Sequence, residues 1–269
     1  MKNVLVFLSL LLLALVLAPI TFASTTLYVN GVAGNDSNDC LLEQAACKTI
    51  EHAIALASSG DSIIVASATY YENLSIGISL NVIGSGARTT IINGRCVNTV
   101  VTISDASAIV TLSNVTVSNG CARYAGGISN RGVLKIIAST ISGNHAHGAR
   151  GIANYGQLTL INSTLYGNTA RVTCSERCQA RGGGIVNVIL ATLTITNSTL
   201  SGNVASTICN LYCGSGGGAI DNGGALIINS STLSGNAARS GGAIANDSGY
   251  SKVTLQNSIL ANNSGGELR

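Results

Sequence analysis

Apolar and polar positions alternate over short stretches of this chain, and the alternation returns in a fixed register. The phrase Ser-Thr-Leu-Ser-Gly-Asn, or a variant of it, recurs along the chain. Its copies end at Gly120, Asn144, Asn168, Asn203, Asn236 and Asn263. They follow one another at steps of 24, 24, 35, 33 and 27 residues. Such a repeat is typical of a solenoid, and we predict a basic coil of 24 residues with insertions in two places.

The repeats place apolar residues in columns. The first two columns lie two residues apart and enclose a residue that is usually polar, such as Thr159. A third column lies inside the phrase, and the isoleucines of a second phrase, Gly-Gly-Ile-x-Asn, form a fourth. The columns are Val110, Leu134, Leu158, Leu193, Leu226 and Val253; Leu112, Ile136, Leu160, Ile195, Ile228 and Leu255; Val117, Ile141, Leu165, Leu200, Leu233 and Leu260; Ile128, Ile152, Ile185, Ile220 and Ile244. A spacing of two indicates strands with one buried face, about three of them in each coil.

Strands that recur once per coil must lie parallel to their equivalents in the next coil, and parallel crossovers are overwhelmingly right-handed. The predicted fold class is therefore all-β, a right-handed parallel β-helix (solenoid) with a short N-terminal capping α-helix. We expect the asparagines at the bends to form ladders of side-chain amides along the stack. For asparagines in Asn-x-Ser/Thr sequons, such as Asn162 and Asn197, the alternative is glycosylation.

Three segments are predicted along the chain. Residues 1–23 have a basic start, an apolar run and a small residue at the expected cleavage point, which favours a secretory signal peptide removed after Ala23. The alternative is an uncleaved anchor. Residues 24–61 are predicted to form an N-terminal cap with a helix at about 48–58, and residues 62–269 to form the β-helix repeats.

Composition narrows the class of protein. The chain has 32 glycines, no tryptophan, 9% charged residues and 46% hydrophobic residues. This composition suits a narrow solenoid with an aliphatic core and fits poorly with intrinsic disorder, which goes with low hydrophobicity and high charge. A formal net charge of +3 gives no support to a nucleic acid partner. No integral membrane segment is expected after signal cleavage, because polar residues break every later apolar run. We therefore predict a secreted or cell-surface location.

The last coil has no visible cap. We therefore expect that two copies of the chain can associate end to end through this coil.

Two groups of proteins resemble this chain. The stretch from Tyr28-Val29-Asn30 to Gly60-Asp61-Ser62-Ile63 resembles the opening of bacterial pectin-lyase-like β-helix proteins. The Gly-Gly-Ala-Ile phrases, alternating with hydrophobic-x-x-Asn at Ile141–Asn144 and Leu165–Asn168, are similar to repeats of polymorphic outer-membrane proteins. The first resemblance implies the β-helix fold. The second implies a surface-displayed, adhesin-like role.

Pectate lyases and polygalacturonases also use the β-helix, so a polysaccharide lyase or glycoside hydrolase is the alternative function. Hydrolysis needs two carboxyl groups across the bond, and calcium-assisted elimination needs several oxygen ligands and a base. The chain has 11 acidic residues without an Asp-Asp pair, and Asp221, just before Asn222, has no evident facing acid. We therefore predict no catalytic residue, metal site or cofactor. His145 and His147 are expected to be solvent-exposed loop residues.

Eight cysteines in an exported chain are predicted to form disulfides. They are Cys40, Cys47, Cys96, Cys121, Cys174, Cys178, Cys209 and Cys213. The first two are expected to brace the cap, and the next two lie 25 residues apart, close to one coil. The last four fall in the two inserted loops, where side-by-side loops permit three pairings. The alternative for these four is a tetrahedral zinc site.

The strongest local signal for binding is a basic strip. Six arginines lie between the asparagine phrase and the Gly-Gly phrase of their coils, so stacking is expected to align them on one ridge. The arginines are Arg123, Arg150, Arg171, Arg177, Arg181 and Arg239, and Tyr124 and Tyr212 join them. Such a strip suits an acidic polysaccharide or a cell-surface glycan. The alternative is that these arginines only keep a charge-poor protein soluble.

The sequence thus predicts a secreted or cell-surface β-helix protein that acts as a non-catalytic carbohydrate- or surface-binding, adhesin-like module. The alternatives are a polysaccharide lyase or glycoside hydrolase of the pectin-lyase-like type, and a structural protein of an envelope or matrix.

Overall fold

The fold is a stack of parallel strands wound into coils. The computed structural model describes residues 24–146, 151–210, 212–246 and 248–265, without the side chain of Tyr212. The predicted signal peptide therefore lies outside the described residues. Three long sheets of nine, eight and seven strands run along the stack, and their pairings are parallel. The predicted right-handed parallel β-helix is confirmed.

A regular coil contributes one strand to each long sheet. Sheet 1 contains Thr26–Val29, Ser62–Val65, Leu80–Gly84, Ile109–Ser113, Val133–Ile137, Gln157–Ile161, Thr192–Thr196, Ala225–Asn229 and Lys252–Gln256. Sheet 2 contains Ala68–Tyr70, Thr90–Asn93, Thr116–Ser118, Thr140–Ser142, Thr164–Tyr166, Thr199–Ser201, Thr232–Ser234 and Ile259–Ala261. Sheet 3 contains Leu74–Ile76, Val101–Ile103, Ile128–Asn130, Ile152–Asn154, Ile185–Asn187, Ile220–Asn222 and Ile244–Asn246.

Two smaller sheets lie in the connections from sheet 2 to sheet 3. Sheet 4 contains Cys121–Ala122, His145–Ala146, Thr169–Thr173 and Val204–Ile208. Sheet 5 contains Arg177–Arg181 and Tyr212–Gly216. The repeat pattern predicts loops for the two insertions, whereas the structure has strands there. The reason is that each insertion finds a parallel partner in the next coil for its backbone groups.

The apolar columns face inward and form the core. In sheet 1, Leu134 pairs in register with Leu158, and both side chains are 1% exposed. The intervening Thr159 faces outward, as the spacing of two predicts. In the last coil, Val253 and Leu260 are only partly buried, because no further described coil covers them. End-to-end self-association remains a prediction.

The turn from sheet 1 to sheet 2 requires one residue in the left-handed region. In successive coils this residue is Asn114, Ala138, Asn162, Asn197, Ser230 and Asn257. Asparagine tolerates positive φ better than other residues with a Cβ. The sequon residues Asn162 and Asn197 therefore have a conformational role at this corner, with φ of 51° and 50°.

Two ladders of buried asparagine amides run along the stack, as predicted. The first follows sheet 2 and contains Asn144, Asn168, Asn203, Asn236 and Asn263; the second ends the strands of sheet 3 and contains Asn130, Asn154, Asn187, Asn222 and Asn246. Asn168 Nδ2 donates to Asn203 Oδ1 at 3.0 Å and to the Ile141 carbonyl at 2.9 Å. Its Oδ1 accepts from Asn144 Nδ2 at 3.0 Å. Because buried amides need partners, these ladders fix the register of the coils.

The predicted helix covers the first coil. This helix, α1, spans Ile50–Leu56, and it begins two residues later and ends two residues earlier than the sequence predicts. Thr49 starts it, because its side chain accepts a hydrogen bond from the backbone N–H of His52. The buried side chains of α1 belong to the main core. Among the described residues, no helix is long and apolar enough to cross a membrane.

We expect Asn168→Ala to lower the free energy of unfolding by about 2–4 kcal/mol, because it leaves buried groups of Asn144, Asn203 and Ile141 without their partner. Thr159→Ala, on the outer face of the same coil, is the control and should change this free energy by less than about 0.5 kcal/mol. Urea unfolding followed by circular dichroism measures both. Equal effects of the two substitutions would contradict the ladder account.

Ala138→Asn should stabilise the protein by about 0.5–1 kcal/mol, because asparagine is less strained than alanine in the left-handed region. The coils on either side already carry Asn114 and Asn162 at this corner. The reverse substitution, Asn162→Ala, should destabilise by a similar amount. Thermal unfolding measures both, and a lower melting temperature for Ala138→Asn would count against the role assigned to the corner.

Candidate functional site

A basic groove of about 880 Å³ lies over sheet 4. It is lined by Cys96, Cys121, Ala122, Arg123, His145, Ala146, Thr169, Arg171 and Thr173. We call it the sheet 4 groove. Three of these residues have basic side chains, and none of the described lining residues is acidic. The groove therefore presents a positive surface to a ligand.

The register of sheet 4 brings the basic residues together. Cys121, His145 and Thr169 are equivalent positions in three neighbouring strands. Arg171 lies two residues after Thr169 on the same face of its strand. Arg123, two coils earlier, lies just beyond the end of the strand that contains Cys121. With a strand spacing of about 4.8 Å, the strand that precedes Arg123 and the strand that contains Arg171 lie about 10 Å apart along the stack.

Alanines fill the other face of sheet 4. Ala170 and Ala205 are register partners, and Ala180 of sheet 5 belongs to the same cluster. All three side chains are buried, and Val172 packs against them. Packing on this face holds strand Thr169–Thr173 in place, and the opposite face of this strand carries Thr169, Arg171 and Thr173 into the groove.

Two contacts position the groove wall around Arg123. Its guanidinium lies 5.5 Å from the centroid of the Tyr124 ring, a cation–π distance. The Tyr124 side chain is 63% exposed. The disulfide between Cys96 and Cys121 joins two neighbouring coils at the same wall. The strand bearing Cys121 is thus covalently held beside the arginine.

Arg181 lies in a different pocket, of about 320 Å³. Its Nη2 donates to Gln179 Oε1 at 2.7 Å, and its Nη1 lies 3.9 Å from Asp221 Oδ2. The Asp221 side chain is 3% exposed, and Asn187 and Ser248 also line the pocket. Sequence reasoning missed this ion pair, because its members come from different coils.

The remaining predicted residues lie apart from the sheet 4 groove. Arg239 lines a third pocket, of about 460 Å³, and its Nη1 donates to the Cys213 carbonyl at 2.6 Å. Arg177 is exposed in sheet 5, in register with Tyr212. Arg150 and the side chain of Tyr212 lie outside the described residues. Of the six predicted arginines, the groove is lined by two.

Acidic residues near the N-terminus hold backbone groups of the cap. Asp36 accepts hydrogen bonds from the N–H groups of Lys48 and Thr49. Although burial opposes the shift, these hydrogen bonds lower the pKa of Asp36. Burial, together with the negative charge of Glu51, raises the pKa of Glu72, whose carboxylate accepts hydrogen bonds from the first N–H groups of α1. These carboxylates therefore have structural partners.

All eight cysteines form disulfides. The pairs are Cys40–Cys47, Cys96–Cys121, Cys174–Cys178 and Cys209–Cys213. The second pair joins neighbouring coils, and each of the last two closes within its own insertion. Cys178 and Cys213 are register neighbours, so the last two disulfides lie side by side. The sulfurs of this oxidised form are not the thiolates that the alternative zinc site requires.

These pairings predict the products of trypsin digestion without reduction. Peptide 172–177 should be linked by a disulfide to peptide 178–181, and both should be separate from peptide 182–239, which contains its own disulfide. Cross-coil pairing would instead join both short peptides to 182–239. Mass spectrometry before and after reduction distinguishes the two patterns, and a link to 182–239 would contradict the structure.

Comparison with known proteins gives a limited result. No protein-family model and no curated protein matches the chain. Among solved structures, a crystal structure of a mutant pectin methylesterase in complex with hexasaccharide IV is similar, with a TM-score of 0.46 and 12% sequence identity over 79% of this chain and 80% of that chain. The parallel strand pairings described above establish the fold. The similarity to adhesin-like repeats remains a prediction.

Proposed function

We propose that this chain is an exported, non-catalytic carbohydrate-binding protein that holds an acidic polysaccharide in the sheet 4 groove. The observation that carries the proposal is the presence of Arg123, His145 and Arg171 in one groove without a described acidic lining residue. A guanidinium binds a carboxylate or a sulfate through paired, charge-assisted hydrogen bonds. The ligand class is therefore a carboxylated or sulfated polysaccharide.

The dimensions of the groove favour a polymer over a small anion. Its volume of about 880 Å³ is at the upper end of the range usual for ligand sites. Arg123 and Arg171 belong to coils that are two apart, so a ligand that contacts both extends along the stack, as successive sugars of a chain do. The hydroxyls of Thr169 and Thr173 add hydrogen-bonding groups between the charges.

The disulfides support an extracellular location. Four disulfides in one chain are typical of proteins in oxidising compartments. Together with the predicted signal peptide, they favour export to the medium or to the cell surface. Binding to a polysaccharide of another cell or of a matrix would make the protein adhesin-like.

A polysaccharide lyase or glycoside hydrolase is the second candidate, and one observation favours it. Asp221 is a buried carboxylate beside Arg181, and both line a pocket. Hydrolysis of a glycosidic bond needs a second carboxyl group across the bond. Asp221 is the sole acid among the described residues that line this pocket. The binding function is therefore the better supported of the two.

The test is affinity electrophoresis of the purified protein in gels that contain polygalacturonate, alginate, heparin or neutral dextran, with product release measured in parallel. We expect retention by one of the acidic polymers, loss of retention at high salt, and no products. Arg123→Ser combined with Arg171→Ser should weaken retention by about tenfold or more. Arg131→Ser, an exposed arginine outside the groove, is the matched control.

Unchanged retention in the double variant would refute the sheet 4 groove as the binding site. Release of products, abolished by Asp221→Asn, would favour the lyase or hydrolase. Neither retention nor products would favour the structural role in an envelope or matrix.

A further inference from the structure

A second groove, of about 460 Å³, lies over the outer face of sheet 2. It is lined by Thr69, Tyr71, Ile91, Asn93, Thr116, Ser118, Asn119, Ser142, Gly143 and Tyr166. We call it the sheet 2 groove. It shares no lining residue with the sheet 4 groove. None of its described lining residues is charged, which favours a ligand recognised through hydrogen bonds and ring contacts.

Two half-exposed tyrosines lie at the ends of the sheet 2 groove. Tyr71 directly follows the first strand of sheet 2, and Tyr166 ends the fifth strand. Four strand spacings of about 4.8 Å separate them by about 19 Å. The Arg95 guanidinium lies 4.0 Å from the centroid of the Tyr71 ring and does not line the groove. This cation–π contact fixes the Tyr71 ring from outside the groove.

The floor between the tyrosines consists of hydroxyl and amide groups. Asn93, Ser118, Ser142 and Tyr166 occupy one register position in four successive strands. The hydroxyls of Ser118 and Ser142 form no hydrogen bond within the part of the chain that the structure describes. Both serines line the groove, so their hydroxyls are open to a polar group that enters it.

We propose that the sheet 2 groove binds a neutral oligosaccharide that runs along the stack. The C–H face of a sugar ring packs on an aromatic ring, and sugar hydroxyls both donate and accept hydrogen bonds. The groove offers both kinds of contact. The tyrosines at its ends supply aromatic rings, and the serine and asparagine side chains of its floor supply hydrogen-bonding groups. The described lining residues offer an anionic polymer no counter-charge. This site is independent of the function proposed for the sheet 4 groove.

Isothermal titration calorimetry with cellohexaose, maltohexaose and chitohexaose tests the proposal. We expect one of the three to bind with an affinity that does not change with salt. Tyr166→Ser should weaken binding by about tenfold or more. The fold should tolerate this change, because Ser201 and Ser234 occupy the equivalent position in the next two coils. Tyr155→Ser, a partly exposed tyrosine outside the groove, is the control and should leave binding unchanged.

Ser142→Ala removes one floor hydroxyl and should weaken binding less than Tyr166→Ser does. Binding of none of the three hexasaccharides would overturn the proposal, as would equal binding by the wild type and Tyr166→Ser. A loss of binding on replacement of Arg123 and Arg171 would place the ligand in the sheet 4 groove and would also overturn it. Since those replacements leave Tyr166 intact, failure at one groove is distinguishable from failure at the other.

Discussion

Buried side-chain amides that find their partners only in neighbouring coils are the constraint on which the rest of the structure depends. Asn168 is fully buried and is hydrogen-bonded to Asn144 and Asn203. These neighbours lie 24 residues before it and 35 residues after it. The ladder is therefore continuous across coils of different length, because the extra residues are placed outside the core. A slip of one residue would leave buried amides unpaired, and the fixed register avoids this penalty.

The two proposed binding surfaces follow from that register. A residue at a given distance after a ladder asparagine lies in a column with its equivalents in the other coils. His145 and Thr169 each follow a ladder asparagine directly, and Arg171 lies two residues further on the same face. The sheet 4 groove thus forms where two regular coils, with Arg123 and His145, stack on the first insertion, which carries Arg171. The sheet 2 groove forms where Tyr166 replaces the serine of the repeat.

The columns and the ladders were predictable from the sequence, because a spacing of two and a repeated asparagine phrase are strong signals. Sheet 4 was not, although a weak signal exists: Ala146, Ala170 and Ala205 each lie two residues after a ladder asparagine. The ion pair of Arg181 and Asp221 was not predictable, since it joins positions in different coils. The sequence predicted one ridge that contains all six arginines, whereas the structure places four of them in three separate pockets. The prediction assumed that residues at similar positions between the two repeat phrases stack on one another, but the sequence does not fix the path of an inserted segment.

The central claim is that the register of the coils creates a binding site for an acidic glycan over sheet 4. A crystal structure of the protein with bound tetragalacturonate tests this claim most directly. We expect sugar carboxylates within hydrogen-bonding distance of the guanidinium groups of Arg123 and Arg171. A ligand bound beside Arg181 and Asp221, with the sheet 4 groove empty, would contradict the account.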